Sequence, residues 1–410
     1  MMSPMKVQRQ FPRWKTVKPL LGWHLPRFDG VDRKLQRCIT IQDLRTLATH
    51  RVPKAVYDYV DGAANEEISL GRARETFSRI EFRPRVLRDV SSVDLSTTIL
   101  GRSSDLPIIF APTGYTRMMH YSGEIGIATV ATQHNLVYSL STMGTTSAQE
   151  LGDAVSQSRR WFQLYVWRDR EQTRSFVAQA KDAGFEALIL TVDTPVAGQR
   201  NRDIRNGLTV PPKINSKTFF NMATKMKWWF NVLTTPALEF ATFRQFTRPL
   251  SEIAATFFDA SVTFEDLAWL KSIWGGPIIV KGIQSVADAK MLAKMGVDAI
   301  VLSNHGGRQL DCGVVPLELL PEVVAAVGKK MEIYIDGGVM SGKDILAAIG
   351  FGADAVLIGR AYLYGAMAGG MAGVEKCIEI LAQEMKTTMQ LTGVTSIAEF
   401  TSEYVNLRQN

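Results

Sequence analysis

The sequence predicts an α/β chain folded as a (β/α)8 TIM barrel, with an N-terminal helical extension and a long excursion after the fourth strand. Three observations predict it. Short apolar runs recur from residue 107 onward, each ends in polar residues or glycine, and amphipathic helical stretches separate them. Strands alternating with helices indicate a parallel sheet. The runs are Pro107–Ala111, Leu136–Leu140, Trp161–Leu164, Ala187–Leu190, Pro277–Val280, Ala299–Leu302, Glu332–Ile335 and Ala355–Ile358, and eight such units suit a closed barrel. An open doubly wound sheet is the runner-up, set back because no GxGxxG turn follows the first strand.

Composition narrows the function classes. The chain has 410 residues, 46% hydrophobic and 21% charged, as in soluble globular proteins. A formal charge of +7 suits simple solubility, or attraction to anionic substrates, a cofactor phosphate or an anionic membrane surface. Nucleic-acid binding is not expected, because no zinc-finger spacing or basic helix is present. Cys38, Cys312 and Cys377 are too few and too scattered for a disulfide framework. Five histidines without an HExxH pair give no expectation of a metal site.

Residues 1–40 read as a basic arm, with Lys6, Arg9, Arg13, Lys15, Lys18 and Arg27 early on, and residues 41–410 as the barrel unit. No apolar h-region follows the early basic residues, so a secretory signal is not expected. Pro4, Pro12, Pro19 and Pro26 argue against an amphipathic transit helix. The expected location is cytoplasmic, either free or peripheral on the inner face of the cell membrane. Ile41 to His50 reads as a helix with Leu44 and Leu47 on one face. A second helix runs from Ala55 and is stopped by Gly62. Tyr59 lies on it, and a packing role is the plain reading.

The excursion, residues 210–264, interleaves Lys213, Lys217, Lys225, Lys227, Arg244 and Arg248 with Phe219, Phe220, Trp228, Trp229, Phe230, Phe240, Phe243 and Phe246. Loops this long are usually functional. It reads as a lid held to the barrel rim by its aromatics, as a membrane contact with aromatic and lysine anchors, or as both.

Working residues of such barrels sit at the C-terminal strand ends. Those ends read Thr113-Gly114, Ser141-Thr142, Gln163 and Tyr165, Thr191 and Asp193, Lys281, Ser303 and His305, Asp336-Gly337-Gly338, and Gly359-Arg360. The last two resemble a phosphate site: glycines expose N–H groups, helices begin there, and Arg360 neutralises an anion. Lys281 demands an anionic partner if buried. It suits either a Schiff base or a fixed cation for a reduced flavin. The neutral hydrogen-bonding groups of Thr113, Ser141, Gln163 and Thr191 suit a flat heterocycle and favour flavin. Asp193 is either a turn aspartate or the partner that orients His305 and stabilises its imidazolium. Arg200 and Arg308 suit a substrate carboxylate.

The stretch Ser303-Asn304-His305-Gly306-Gly307-Arg308-Gln309-Leu310-Asp311 is the sharpest signal. It joins a base, a permanent cation and two glycines that let backbone approach a ligand. With Lys281-Gly282, Thr191-Val192-Asp193-Thr194-Pro195 and Gln163-Leu164-Tyr165, it resembles the FMN-dependent L-2-hydroxy-acid oxidases and dehydrogenases. That family includes glycolate oxidase, flavocytochrome b2, quinone-linked L-lactate dehydrogenase and mandelate dehydrogenase. The likeness runs from about Ile41 to near the C-terminus, and the bacterial quinone-linked L-lactate dehydrogenases resemble the chain most.

The resemblance implies roles. His305 is the base, paired with Asp193. Arg200, Arg308 and Tyr59 hold the substrate carboxylate, and Tyr165 lies near the substrate hydroxyl. Lys281 stabilises reduced FMN. Thr113, Gly114, Ser141, Gln163, Thr191 and Ser303 contact the isoalloxazine and ribityl chain. Asp336, Gly337, Gly338, Gly359 and Arg360 bind the ribityl and phosphate. Two departures stand out. Met340 replaces an arginine the family often carries on the phosphate, and Met143 replaces the tryptophan of glycolate oxidases. The implied activity is oxidation of an L-2-hydroxy acid, foremost L-lactate, with electrons passed to a quinone or other membrane acceptor. The alternatives are a mandelate-type dehydrogenase, an oxygen-using oxidase, or a barrel that binds flavin without turnover. A homotetramer is the family's usual assembly.

Overall fold

The computed structural model describes residues 14, 30–207, 224–244 and 259–408. Three short strands come first: β1 (Ile80–Phe82), β2 (Thr97–Ile99) and β3 (Arg102–Ser104). Eight parallel strands then close a barrel in sequence order: β4 (Ile108–Thr113), β5 (Val137–Ser141), β6 (Arg159–Leu164), β7 (Ala187–Thr191), β8 (Ile278–Ile283), β9 (Ala299–Leu302), β10 (Glu332–Ile335) and β11 (Ala355–Ile358), with β11 returning to β4. All eight expected runs form these strands. A final strand, β12 (Val405–Leu407), pairs antiparallel with β1.

Alternation along each strand decides which side chains fill the barrel. In β9, Ala299 and Val301 face the interior with Ile109, Val137, Ile189, Ile279 and Leu357, while Ile300 and Leu302 pack outward against the helices. Trp161 and Tyr334 stack inside at 5.9 Å between ring centres. The hairpin β2–β3 closes the floor and places Ile99 in this inner cluster. Arg159, at the start of β6, donates to the carbonyls of Ile99, Arg102 and Ser103 and ties the hairpin to the barrel.

The helices start where their caps dictate. Thr40 and Asp43 form a reciprocal capping box for helix Ile41–Arg51, and Thr263 with Asp266 does so for helix Phe264–Trp274. Helix Lys54–Asp61 is stopped by Gly62 and carries Tyr59 to the barrel mouth. The last helix, Arg360–Thr392, begins at the end of β11 and packs on helix Ile41–Arg51. It bends at Gly369-Gly370, where a Cβ on Gly370 would lie 2.3 Å from the His120 ring. None of the described helices is long and apolar enough to cross a membrane.

Of the excursion, residues 224–244 are described. They form helix Met226–Leu233 and a single turn of 3-10 helix, Ala241–Phe243. Lys213, Lys217, Phe219, Phe220, Phe246 and Arg248 lie outside the described residues, as do Lys6, Arg9, Arg13, Lys15, Lys18 and Arg27 of the arm.

Candidate active site

The C-terminal strand ends open into a cavity of about 690 Å³ lined by Tyr59, Thr113, Gly114, Ser141, Gln163, Tyr165, Thr191, Arg200, Lys281, His305, Arg308, Asp336, Gly337, Gly338, Gly359 and Arg360. Asp193 and Ser303 stand just behind that lining.

His305 follows β9 in a turn where three residues in succession are left-handed: His305 at φ +57°, Gly306 at +61° and Gly307 at +75°. Glycine adopts this readily, whereas histidine does so at a cost. Asn304 braces the turn, its Oδ1 accepting from the Gly307 N–H at 3.1 Å. The His305 imidazole is thereby directed at Asp193, with Nδ1 2.9 Å from Oδ1. The Asp193 side chain is 1% exposed. Burial opposes its ionisation, yet His305, and Lys281 beyond it, hold the carboxyl below its ordinary value. Gly282 makes room for it, because a Cβ there would stand 2.7 Å from the Asp193 Cβ. Asp311, at the end of the same nine-residue stretch, accepts from the N–H groups of Glu66, Ile68 and Ser69, and so caps helix Ile68–Ser78.

A second cluster faces His305. The Arg308 guanidinium lies 5.0 Å and that of Arg200 5.9 Å from the centre of the Tyr59 ring. Arg308 donates to the carbonyls of Tyr59 at 2.6 Å and Gly62 at 3.1 Å. Burial, and then the neighbouring Arg200, push its pKa down to about 10. Among the described residues no carboxylate forms an ion pair with Arg308, while Arg200 has Asp203 at 3.4 Å. Burial raises the Tyr165 hydroxyl well above its ordinary value, so it stays protonated and can donate.

A polar row lies across the strand ends β5 to β9. Gln163 accepts from Ser141 at 3.1 Å and from the Thr142 N–H at 3.2 Å, and its amide donates to Thr191 at 3.0 Å. Lys281 is buried and paired with Asp336 at 2.7 Å. Burial alone would lower its pKa, but Asp336 and Asp193 outweigh it and keep the ammonium charged. Lys281 also donates to Ser303 Oγ at 2.9 Å, and that same oxygen accepts from the His305 N–H at 3.0 Å. Thr113 meets Tyr362 at 2.5 Å.

At the far end of the cavity, Gly337 and Gly338 adopt φ of +90° and +79°. A Cβ on Gly338 would press on Ala73 at 3.0 Å. Gly359 leads directly into the N-terminus of helix Arg360–Thr392. Arg360 lines the cavity while its guanidinium donates to the carbonyls of Val60, Gly62 and Gly306. Met340 also lines this end, joined by Arg74 and Lys343, which the sequence did not mark.

This arrangement suits a ligand that is part flat and polar and part anionic, beside a base and two guanidinium groups. A family model described as FMN-dependent dehydrogenase matches residues 48–407. The chain belongs to that family. The relatives of this FMN-dependent dehydrogenase carry consistent names. A Mycobacterium tuberculosis protein named "Putative L-lactate dehydrogenase" is 49% identical over 401 residues, covering 98% of this chain and 97% of that one. L-lactate oxidase of Nostoc is 38% identical over 372 residues, covering 90% and 98%. Among solved structures, the monotopic membrane protein (S)-mandelate dehydrogenase is 33% identical, with a TM-score of 0.87, covering 91% of this chain and all of that one. FMN is the cofactor of this family, and the residues present fit it. Asp336 Oδ1 is buried without a partner among the described residues. Left-handed Gly337 and Gly338 line the cavity without a Cβ, and buried Lys281 supplies a cation beside the polar row.

Sequence reasoning did not place Asp336 on Lys281, Asp311 as a helix cap, or Phe240 in the cavity wall. The demand of Lys281 for an anion was the available signal for the first. The other two carry no signal local to the chain.

Proposed function

We propose that the protein oxidises an L-2-hydroxy acid, L-lactate foremost, to the 2-oxo acid and delivers the electrons to a membrane quinone. The observation that carries this reading is the oriented His305–Asp193 pair opening onto the same cavity as the Arg200–Tyr59–Arg308 cluster. Arg308 and Arg200 bind the substrate carboxylate, and Tyr165 donates to the substrate hydroxyl. With Nδ1 engaged by Asp193, His305 presents Nε2 to take the substrate proton, and the buried carboxylate stabilises the imidazolium that results. Bound FMN supplies the acceptor for the two electrons. Lys281 provides a fixed positive charge for a cofactor that gains negative charge on reduction. Asp336, Gly337, Gly338, Gly359 and Arg360 hold the ribityl and phosphate, and Thr113, Gly114, Ser141, Gln163, Thr191 and Ser303 hold the rest.

The acceptor reading rests on helix Met226–Leu233. Met226, Phe230 and Leu233 are 78%, 68% and 75% exposed and fall on one face at i, i+4 and i+7, while Trp228 is buried behind them with its indole N–H on the Met118 carbonyl at 2.9 Å. A short helix apolar on both faces suits a bilayer surface. A mandelate-type dehydrogenase is the second reading, favoured by the flexible Met143 in the cavity wall and by the likeness to mandelate dehydrogenase.

Anaerobic titration with L- and D-2-hydroxy acids tests the chemistry. L-lactate should bleach the flavin absorbance, and a cofactor that stays oxidised with every member of the panel rejects the reading. Reoxidation faster by air than by quinone analogues would remove the quinone from it.

A further inference from the structure

We propose that Phe240, brought in by the excursion, walls the subsite for the substrate's side chain and sets the size of hydroxy acid accepted. The inference rests on the function proposed above and deepens it.

Residues 236–244 are fastened across the ends of β4 and β5. Tyr115 donates its hydroxyl to the Leu238 carbonyl at 2.9 Å. The Ala241 N–H donates to the Gly144 carbonyl at 3.0 Å, and Thr242 donates to the Thr142 carbonyl. Arg244 pairs with Glu150 at 2.6 Å and donates to the Thr145 carbonyl at 3.0 Å. So many ties to two neighbouring loops fix the position of the segment.

Phe240 is the residue these ties deliver inward. It is buried, lines the cavity, and packs on Tyr115 with ring centres 4.8 Å apart. Tyr115 in turn donates its N–H to the Met143 carbonyl at 2.9 Å. A Cβ on Gly114 would lie 2.9 Å from the Met143 Cβ. Tyr59 is near enough to act electrostatically on the Tyr115 hydroxyl. Phe240 therefore stands at the Tyr59 end of the cavity, away from the glycine turn that receives phosphate. Met143 and Gly114, linked to Phe240 through Tyr115, line the cavity as well. With the carboxylate on the arginines and the hydroxyl at His305, the remaining substituent of the reacting carbon is the side chain. Phe240 and Met143 offer apolar surface to receive it. A full aromatic ring in this wall favours a short alkyl group over an aryl group.

The test is the ratio of kcat/KM for L-mandelate over L-lactate, measured by flavin reduction in F240A, F240L and F240W, with FMN content checked in each. Removing the ring should raise the ratio about tenfold or more in F240A and less in F240L, a span typical of pocket-size discrimination. F240W should lower it. Ratios within twofold of the parent in all three variants, or moving the same way in F240A and F240W, would overturn the proposal. Damage to folding alone moves both rates together and leaves the ratio in place. If the parent flavin is bleached by L-lactate and the ratios do not move, only this inference fails. If no 2-hydroxy acid bleaches the parent flavin, the proposed function has failed and takes this inference with it.

Discussion

Two residues apart on helix Lys54–Asp61, Tyr59 and Asp61 sit in two clusters of the same make-up and opposite state. Asp61 is bound by Arg45 at 2.7 Å, Arg202 at 2.9 Å, Tyr364 at 2.8 Å and Tyr57 at 3.1 Å. Against its burial, Arg45 and Tyr364, with Arg202, hold it down to about 2. Arg45, Asp61 and Tyr364 line the same cavity as Arg200, Arg308, Tyr59 and Tyr165, which are again two arginines and two tyrosines. There Arg308 lacks an ion-pair partner among the described residues, and its pKa falls instead of rising as that of Arg45 does. The Asp61 cluster shows what this donor set does around a carboxylate that belongs to the chain. On the proposed function, the Tyr59 cluster is the same set serving one that arrives with substrate. A buried cation without an ion-pair partner is costly in a scaffold, and Arg308 stands so beside a base.

The comparison can be broken in four ways. The largest effect belongs to the base beside the open cluster. H305Q should bind FMN normally and lose about 10²–10⁴-fold in the rate of flavin bleaching, with substrate affinity changed much less. Stopped-flow reduction separates the two. Next, R308K keeps the charge and loses the planar fork, so substrate binding should weaken by about tenfold or more, seen as a higher concentration for half-maximal bleaching. If R308K leaves that concentration alone, the open cluster is not the carboxylate site.

The closed cluster should respond in stability instead. D61A leaves Arg45 without its acid and Arg202 with Glu67, and should cost about 3 kcal/mol in denaturant unfolding, while substrate affinity in the folded fraction changes much less than in R308K. The smallest effect is its pH dependence. The folded carboxyl titrates at about 2, below its ordinary 3.8, so its contribution is complete above about pH 4 and is lost as pH falls through 2. That contribution is about 2 kcal/mol. D61N should flatten the parent's acid-side loss of stability across that window, measured by urea unfolding between pH 2 and 5.

The barrel was legible because its signal is local. Ala299 to Leu302 announces a buried strand by composition, and its abrupt change to Ser303-Asn304-His305 announces a strand end. The polar strand ends could be read one by one, since a parallel barrel sends them all to one face. What stayed hidden depends on contacts between distant parts of the chain. From its own helix Tyr59 reads as a packing residue, and only the family resemblance placed it beside Arg308, which lies 5.0 Å from its ring centre. Asp311 read as part of the site motif, whereas its carboxylate serves the N–H groups of a helix that precedes it by more than two hundred residues. Phe240 was one aromatic among several, and only its fastening to the β5 loop singles it out. The hairpin β2–β3 and the pairing of β1 with β12 were likewise out of reach, since three-residue strands carry little periodicity.

One carbonyl has two customers. The oxygen of Gly62 accepts from Arg308 at 3.1 Å and from Arg360 at 2.7 Å, so on the proposed function a single peptide unit joins the guanidinium assigned to phosphate to the one assigned to carboxylate. Any coupling carried through it would be reciprocal: cofactor loading and substrate affinity would shift one another by the same factor.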